Sequence, residues 1–266
     1  MTNPKPIGVF DSGVGGLSVL KEIRKLAGAE NLIYFADSAY CPYGFKAPEE
    51  IRNRIIKITR FMLELKAKMI VAACNTASIA GLDFLRKLFD VPIVGMEPAI
   101  KPAAGLTQNG KVGVLATGVT IAGERFNSLL DRYANGVKVF KVACPGLVEQ
   151  VEHGLINEPK TKAMLEEFLK PLLEAGVDTI VLGCTHYPFL RQQVEAIAGP
   201  SVQVIDTGSA VARRVTQVLS EKNLQNDGFS HNGRDVFYTS GEPEHVGKVI
   251  AKLWGKNSIK IEKIML

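Results

Sequence analysis

The chain has no paired Cys-x-x-Cys, no histidines at zinc-ligand spacing, no basic tract and one tryptophan among 266 residues. Each absence removes a class of protein. Four cysteines, at 41, 74, 144 and 184, stand too far apart for a zinc ribbon or a thioredoxin-like motif, and read as reduced thiols. The net charge of +5 is spread along the chain without aromatic-basic interleaving, so no nucleic-acid partner is expected. The first residues, Met1 to Pro6, lack the apolar stretch of a signal peptide, and no segment approaches the roughly 18 apolar residues of a membrane span. A cytoplasmic protein without membrane contact is the expectation. Hydrophobic residues make up 46% and charged residues 22%, enough for a buried core and unlike a disordered chain.

What is present is organised around a repeat. Val71-Ala-Ala-Cys-Asn-Thr-Ala-Ser78 returns 110 residues later as Val181-Leu-Gly-Cys-Thr-His-Tyr-Pro188. Each begins as an apolar run suited to an interior parallel strand, meets a cysteine, and passes through polar residues into a helix. Upstream, Ile7-Gly-Val-Phe-Asp-Ser-Gly13 is echoed 105 residues later by Val112-Gly-Val-Leu-Ala-Thr-Gly118. Two similar offsets imply two similar α/β lobes, each a doubly wound parallel sheet, related by a pseudo-twofold axis with the site in the cleft between them. Cysteines at strand carboxyl ends would then face one another, where open α/β sheets bind ligands. The first lobe is taken as 1–97, completed by 207–266, and the second as 98–206. Strands are expected at Ile7–Phe10, Leu32–Ala36, Met69–Ala73 and Ile93–Gly95. The second set lies at Lys111–Ala116, Val137–Val142, Thr179–Leu182 and Gln203–Ile205, with Asp235–Thr239 and Ile259–Glu262 closing the chain. A polar interval, 222–234, is read as flexible.

Several chemistries compete for these residues. Gly13-x-Gly15 after a strand, with Asp37 some 20 residues on, resembles a dinucleotide loop. Ser18 stands where its third glycine belongs, and Asp11 puts negative charge where a pyrophosphate would sit. A lone cysteine at a strand end is often only a small buried hydrophobe. Here both are followed by polar hydrogen-bonders, Asn75-Thr76 and Thr185-His186, which a packed interior has little reason to collect. Two opposed thiols suit inversion of a stereocentre: one thiolate takes a proton from carbon and the other thiol returns one to the far face. His186 could orient or polarise Cys184. Asp11 could serve Cys74 or a substrate ammonium, or simply cap a helix. Glu152 on a helix could be plain surface. Cys41 and Cys144 precede prolines in turns and are set aside as non-catalytic. Two lobes that merely clasp an amino acid, a nicotinamide oxidoreductase and a cysteine hydrolase stay as alternatives.

Ile7 to Gly16, Cys41-Pro-Tyr-Gly44, Ala73-Cys-Asn-Thr76 and Gly183-Cys-Thr-His-Tyr-Pro188 together resemble the glutamate racemases. The similarity runs from Ile7 to about Thr239. It implies a cofactor-independent enzyme, with neither metal nor cofactor, that interconverts L- and D-glutamate for peptidoglycan. It implies catalytic thiols at Cys74 and Cys184, assisted by Asp11, Glu152 and His186. Asp11-Ser12, Tyr43-Gly44, Asn75-Thr76 and Thr185-His186 match the segments that hold substrate. Thr207 stands where serine is expected. The amino-terminal extension of members activated by a cell-wall precursor is missing, so constitutive activity and, by analogy, a homodimer are expected.

Overall fold

The computed structural model describes residues 3–226 and 233–266, so part of the polar interval expected at 222–234 lies outside the described residues. Two all-parallel sheets make the framework. The first is built from β1 (Ile7–Asp11), β2 (Leu32–Ala36), β3 (Met69–Ala72) and β4 (Ile93–Val94), with β9 (Asp235–Thr239) and β10 (Ile261–Lys263) added at one edge. Its order is β10-β9-β2-β1-β3-β4. The second contains β5 (Lys111–Ala116), β6 (Lys138–Ala143), β7 (Thr179–Leu182) and β8 (Gln203–Ile205), ordered β6-β5-β7-β8. The order β2-β1-β3-β4 is thus repeated as β6-β5-β7-β8. Each echoed sequence motif occupies the same place in its sheet: β1 and β5 are equivalent, as are β3 and β7. The two-lobe parallel α/β fold expected from the repeat is the one observed.

The central strands are buried on both faces, which is why they read as apolar runs rather than alternating ones: β1, β2, β3 and β7 are buried at every residue. Helices cover the sheets. In the first lobe α1 (Leu17–Leu26), α2 (Pro48–Glu64) and α3 (Asn75–Leu88) bury Leu17, Leu20 and Ile23, then Ile51, Ile55 and Ile58, then Leu82 and Leu85. Burying one such aliphatic side chain contributes about 1.5–3 kcal/mol. Proline at the start of α2, with Glu49 and Glu50 in its first turn, matches the missing donor and positive end of a helix N-terminus.

After β4 the chain forms α4 (Ile100–Leu106), which the sequence reading passed over. Between Gly118 and Tyr133 there are two helices, α5 (Gly118–Ala122) and α6 (Glu124–Tyr133), separated at Gly123. A Cβ on Gly123 would sit 2.6 Å from Ile79 of α3, so glycine there lets the two lobes approach. Arg125 ties them from outside, donating to Glu97 at 2.6 Å and Asp83 at 2.9 Å. In the second lobe α7 (Leu147–Glu152), α8 (Pro159–Glu174) and α9 (Arg191–Ala198) cover the sheet. Finally α10 (Gly208–Glu221) lies along α1, and α11 (Pro243–Trp254) sits between β9 and β10 in the chain. Among the described residues, no helix is long and apolar enough to cross a membrane.

Candidate active site

Four strand ends converge. Asp11 ends β1, Cys74 follows β3, Thr117 follows β5 and Cys184 follows β7. A small cavity between them is lined by Ser12, Cys74, Asn75, Thr117, Cys184 and His186, with Tyr43, Gly44, Thr76 and Thr185 also on its wall. At about 10 Å³ it has room for roughly one water. Of the residues expected to hold substrate, all but Asp11 lie on this wall; Asp11 and the assisting Glu152 stand behind it.

Asp11 is fully buried, and its Oδ2 accepts from the Gly16 amide at 2.7 Å and weakly from the Thr185 hydroxyl at 3.4 Å. Burial raises its pKa above the ordinary carboxylate value, and the neighbouring His186 charge draws it back only in part. Cys74 caps α3, its Sγ accepting from the Ala77 amide at 3.5 Å. The helix was expected to begin at Ser78, but Asn75 and Thr76 are already its first turn. Cys74 thus sits at the positive end of the helix axis, with Ser12 Oγ 3.9 Å away. Burial and then the Asp11 carboxylate push the Cys74 thiol well above its usual value, outweighing the amide of Ala77.

Cys184 is supported differently. Its Sγ lies 3.7 Å from His186 Nδ1, and His186 Nε2 meets Glu152 Oε1 at 2.6 Å. The same Glu152 oxygen accepts from the Val14 amide of the other lobe at 2.6 Å. Burial works against a charged His186, but hydrogen bonds to Cys184, Cys41 and Glu152 prevail and hold its pKa well above the ordinary histidine value. Glu152 is therefore not a surface residue; it orients a buried ring.

The glycines of the first loop have a plain steric reason. A Cβ at Gly13 would lie 2.0 Å from Glu152 Oε1, and one at Gly15 would lie 2.3 Å from His186 Nδ1. They make room for side chains of the second lobe, not for a pyrophosphate. Ser18, where the third glycine of a dinucleotide loop would fall, donates to the main-chain oxygens of Gly15 and Thr185, both at 2.9 Å. Asp37, the acid that such a loop would turn toward a ribose, is held at both oxygens by Arg54, at 2.7 and 3.0 Å, and accepts from the Tyr43 hydroxyl at 2.5 Å. The dinucleotide reading has no free group left.

Tyr43 lines the cavity with its hydroxyl already engaged, so the Tyr43-Gly44 main chain is what it offers a ligand. Asn75 is the opposite case: its buried amide has neither donor nor acceptor engaged, although it stands on the cavity wall. Thr76 Oγ1 forms a hydroxyl cluster with Thr117 at 3.1 Å and Thr120 at 3.3 Å across the lobes. The sequence reading missed Thr117, although the echo of Ser12-Gly13 in Thr117-Gly118 marks it as the partner of Ser12. Cys41 was set aside, yet its sulfur, His186 and Glu152 each offer a ligand atom within 4.8 Å of the others. Burial and the Glu152 charge push its thiol up to about 12. Cys144 is buried, its thiol facing the Val142 carbonyl at 3.6 Å.

Known proteins resemble this chain in sequence and fold. The Asp/Glu/Hydantoin racemase family model matches residues 7–215. Glutamate racemase of Stutzerimonas stutzeri is 49% identical over 255 residues, covering 96% of each chain, and that of Pseudomonas aeruginosa PAO1 is 51% identical over 250 residues, covering 94% of each. Among solved structures, glutamate racemase RacE1 of Bacillus anthracis superposes with a TM-score of 0.88 at 31% identity, covering 98% of both chains. The Escherichia coli glutamate racemase, in complex with L-glutamate and the activator UDP-MurNAc-Ala, gives 0.86 at 34% identity, also covering 98% of both. The chain belongs to the Asp/Glu/Hydantoin racemase family and, within it, groups with the glutamate racemases.

Proposed function

We propose that this amino-acid racemase interconverts L- and D-glutamate without a cofactor, by a two-base mechanism, and supplies D-glutamate for peptidoglycan. The observation that carries the reading is that Cys74 and Cys184, 110 residues apart in the chain, line one cavity from opposite lobes. In this scheme the Cys184 thiolate removes the α-proton of L-glutamate, and the Cys74 thiol then delivers its own proton to the far face. The sulfur that began as base ends as thiol, and the other ends as thiolate, ready for D-glutamate. An imidazolium at His186, oriented by Glu152, is the counter-ion of the Cys184 thiolate; beside Cys74 stands the Asp11 carboxyl group, which favours the thiol form that delivers the proton.

Substrate carboxylates are assigned to the donors of the wall: the Ser12, Thr76 and Thr185 hydroxyls, the idle Asn75 amide, and the main-chain amides at Tyr43-Gly44. Asp11 is the acid nearest a substrate ammonium. A cavity with room for one water admits a dicarboxylic amino acid only when the lobes part. The division into lobes 1–97 with 207–266 and 98–206 is the one that such a hinge requires. A homodimer in the cytoplasm completes the reading by analogy with the family.

Racemisation of L-glutamate in deuterated water tests it. D-glutamate formed at early times should carry deuterium at Cα while unreacted L-glutamate stays largely protiated, because the proton leaves on one sulfur and arrives from the other. Substantial protium in the first-formed D-glutamate would falsify the two-base scheme. Comparable kcat/KM for L-aspartate would overturn the substrate assignment, since a misplaced side-chain carboxylate leaves buried donors unpaired.

A further inference from the structure

One cluster of chemically capable groups is left over by racemisation. Cys41, in the turn after β2, stands with Glu152 and His186, their ligand atoms all within 4.8 Å of one another. Among the described residues it is the one group of three or more such side chains placed to hold a metal ion. The cavity that holds Cys74 and Cys184 does not include Cys41 or Glu152 in its wall. Those two instead line a separate opening of about 500 Å³, together with His153 and His245. The imidazoles of His153 and His245 lie 5.6 Å apart there, and His245 Nε2 reaches the Glu152 carbonyl at 3.2 Å. Solvent thus has a route to the triad that bypasses the substrate cavity.

We propose that Cys41, Glu152 and His186 form an inhibitory Zn²⁺ site. One sulfur, one imidazole nitrogen and one carboxylate oxygen suit zinc or cobalt, and a single carboxylate is too few oxygens for magnesium or calcium. Three protein ligands leave the fourth tetrahedral position for a water, which the side opening supplies. Binding the metal between His186 Nε2 and Glu152 Oε1 spreads them from 2.6 Å to the roughly 3.3–3.5 Å that two ligands about 2.0–2.1 Å from a tetrahedral zinc require. The Cys41 thiol and the His186–Glu152 hydrogen bond each give up a proton to solvent, so the ion replaces two protons. His186 is then metallated at Nε2 and carries hydrogen only at Nδ1, facing Cys184. Spreading the pair draws the ring away from the place where its Nδ1 faces Cys184 at 3.7 Å, and racemisation stops while zinc stays bound. The site thereby links activity to free zinc, without any sequence motif for metal.

Cobalt(II) titration of the full chain tests it through the thiolate-to-metal charge-transfer absorption, which does not depend on the racemase reading. Unsubstituted protein and Cys184→Ser should both develop the band, and Cys41→Ser should not. In parallel, zinc should inhibit racemisation reversibly, with chelator restoring the rate. Cys41→Ser should need more than about 100-fold more zinc for half-inhibition of the turnover it retains, because loss of a direct ligand exceeds the roughly 10- to 100-fold cost of a change next to a ligand. Absence of the band, or its survival in Cys41→Ser, would overturn the proposal.

Discussion

The two halves of the site descend from one sequence pattern and do not look alike. After Cys74 the chain enters α3 at once, so the sulfur is a helix cap, touched by the Ala77 amide and faced by buried Asp11. After Cys184 the next helical piece is a short 3-10 turn, Tyr187–Leu190, with Pro188 at its start, and α9 waits until Arg191. That delay of one turn leaves Thr185 and His186 outside regular helix, and His186 folds back to its own cysteine at 3.7 Å. One half pairs a thiol with a carboxylate, the other a thiol with an imidazole held by a second carboxylate. The Asp11 carboxylate favours a protonated Cys74, whereas the other sulfur faces an imidazole. A repeat in sequence therefore gives a site that is symmetric in placement and unequal in charge.

The largest effect should come from removing either sulfur. Cys74→Ala and Cys184→Ala should each lower kcat for racemisation by about 10³-fold or more, at the upper end of general acid–base contributions. A near-wild-type rate in either would mean that only one half works. Next is the junction of the halves: Gly15→Ala places a methyl where the His186 ring lies, 2.3 Å from Nδ1. Displacing that ring should reduce kcat/KM by on the order of 100-fold and cost about 1–3 kcal/mol by overpacking, checked by kinetics and urea denaturation.

The inequality itself is harder to see, because L- and D-glutamate have equal free energies and kcat/KM must then be the same in both directions. Isotope effects escape that constraint. In His186→Asn, proton removal by Cys184 becomes the slower step, so the primary effect with α-deuterated L-glutamate should exceed that with α-deuterated D-glutamate; Asp11→Asn should reverse the order. Equal effects in both variants would mean the supports are interchangeable.

Stability should shift least, and in opposite senses for the two halves. Asp11 has a raised pKa, so its ionised form is a burden on the fold that is present above that pKa and relieved as pH falls through it. Asp11→Asn should accordingly raise the melting temperature at neutral pH, a stabilisation of about 1 kcal/mol, while turnover falls. For His186 the contribution is favourable instead, though the pH direction is the same: its raised pKa adds stability that is complete below about 6.5 and is lost as pH rises through the folded-state value. His186→Asn should therefore flatten the alkaline loss of melting temperature.

Much of this could be read from the residues. Apolar runs ending at Asp11, Cys74 and Cys184 located the strands because central parallel strands are buried on both faces, and the echo located the second sheet. What escaped reading depends on distance across the lobes. Cys41 and Glu152 are 111 positions apart, and no ligand spacing along a chain joins them. Gly123, between α5 and α6, faces Ile79 of the other lobe, which leaves no room for a side chain. Asn75 and Thr76 were read as a turn because polar residues usually end helices or precede them; here Cys74 takes the cap and the polar pair faces the cavity from inside the helix.

Gly13 and Gly15 also bear on modularity. Their bare backbones belong to one lobe and the volumes they leave are filled by Glu152 and His186 of the other, so each lobe carries the mould of its neighbour. A chimaera that joined the first lobe to a second lobe from a different protein could keep both sheets and both sulfurs and still lose the fit at these two positions. Grafting has to move the four residues as a set.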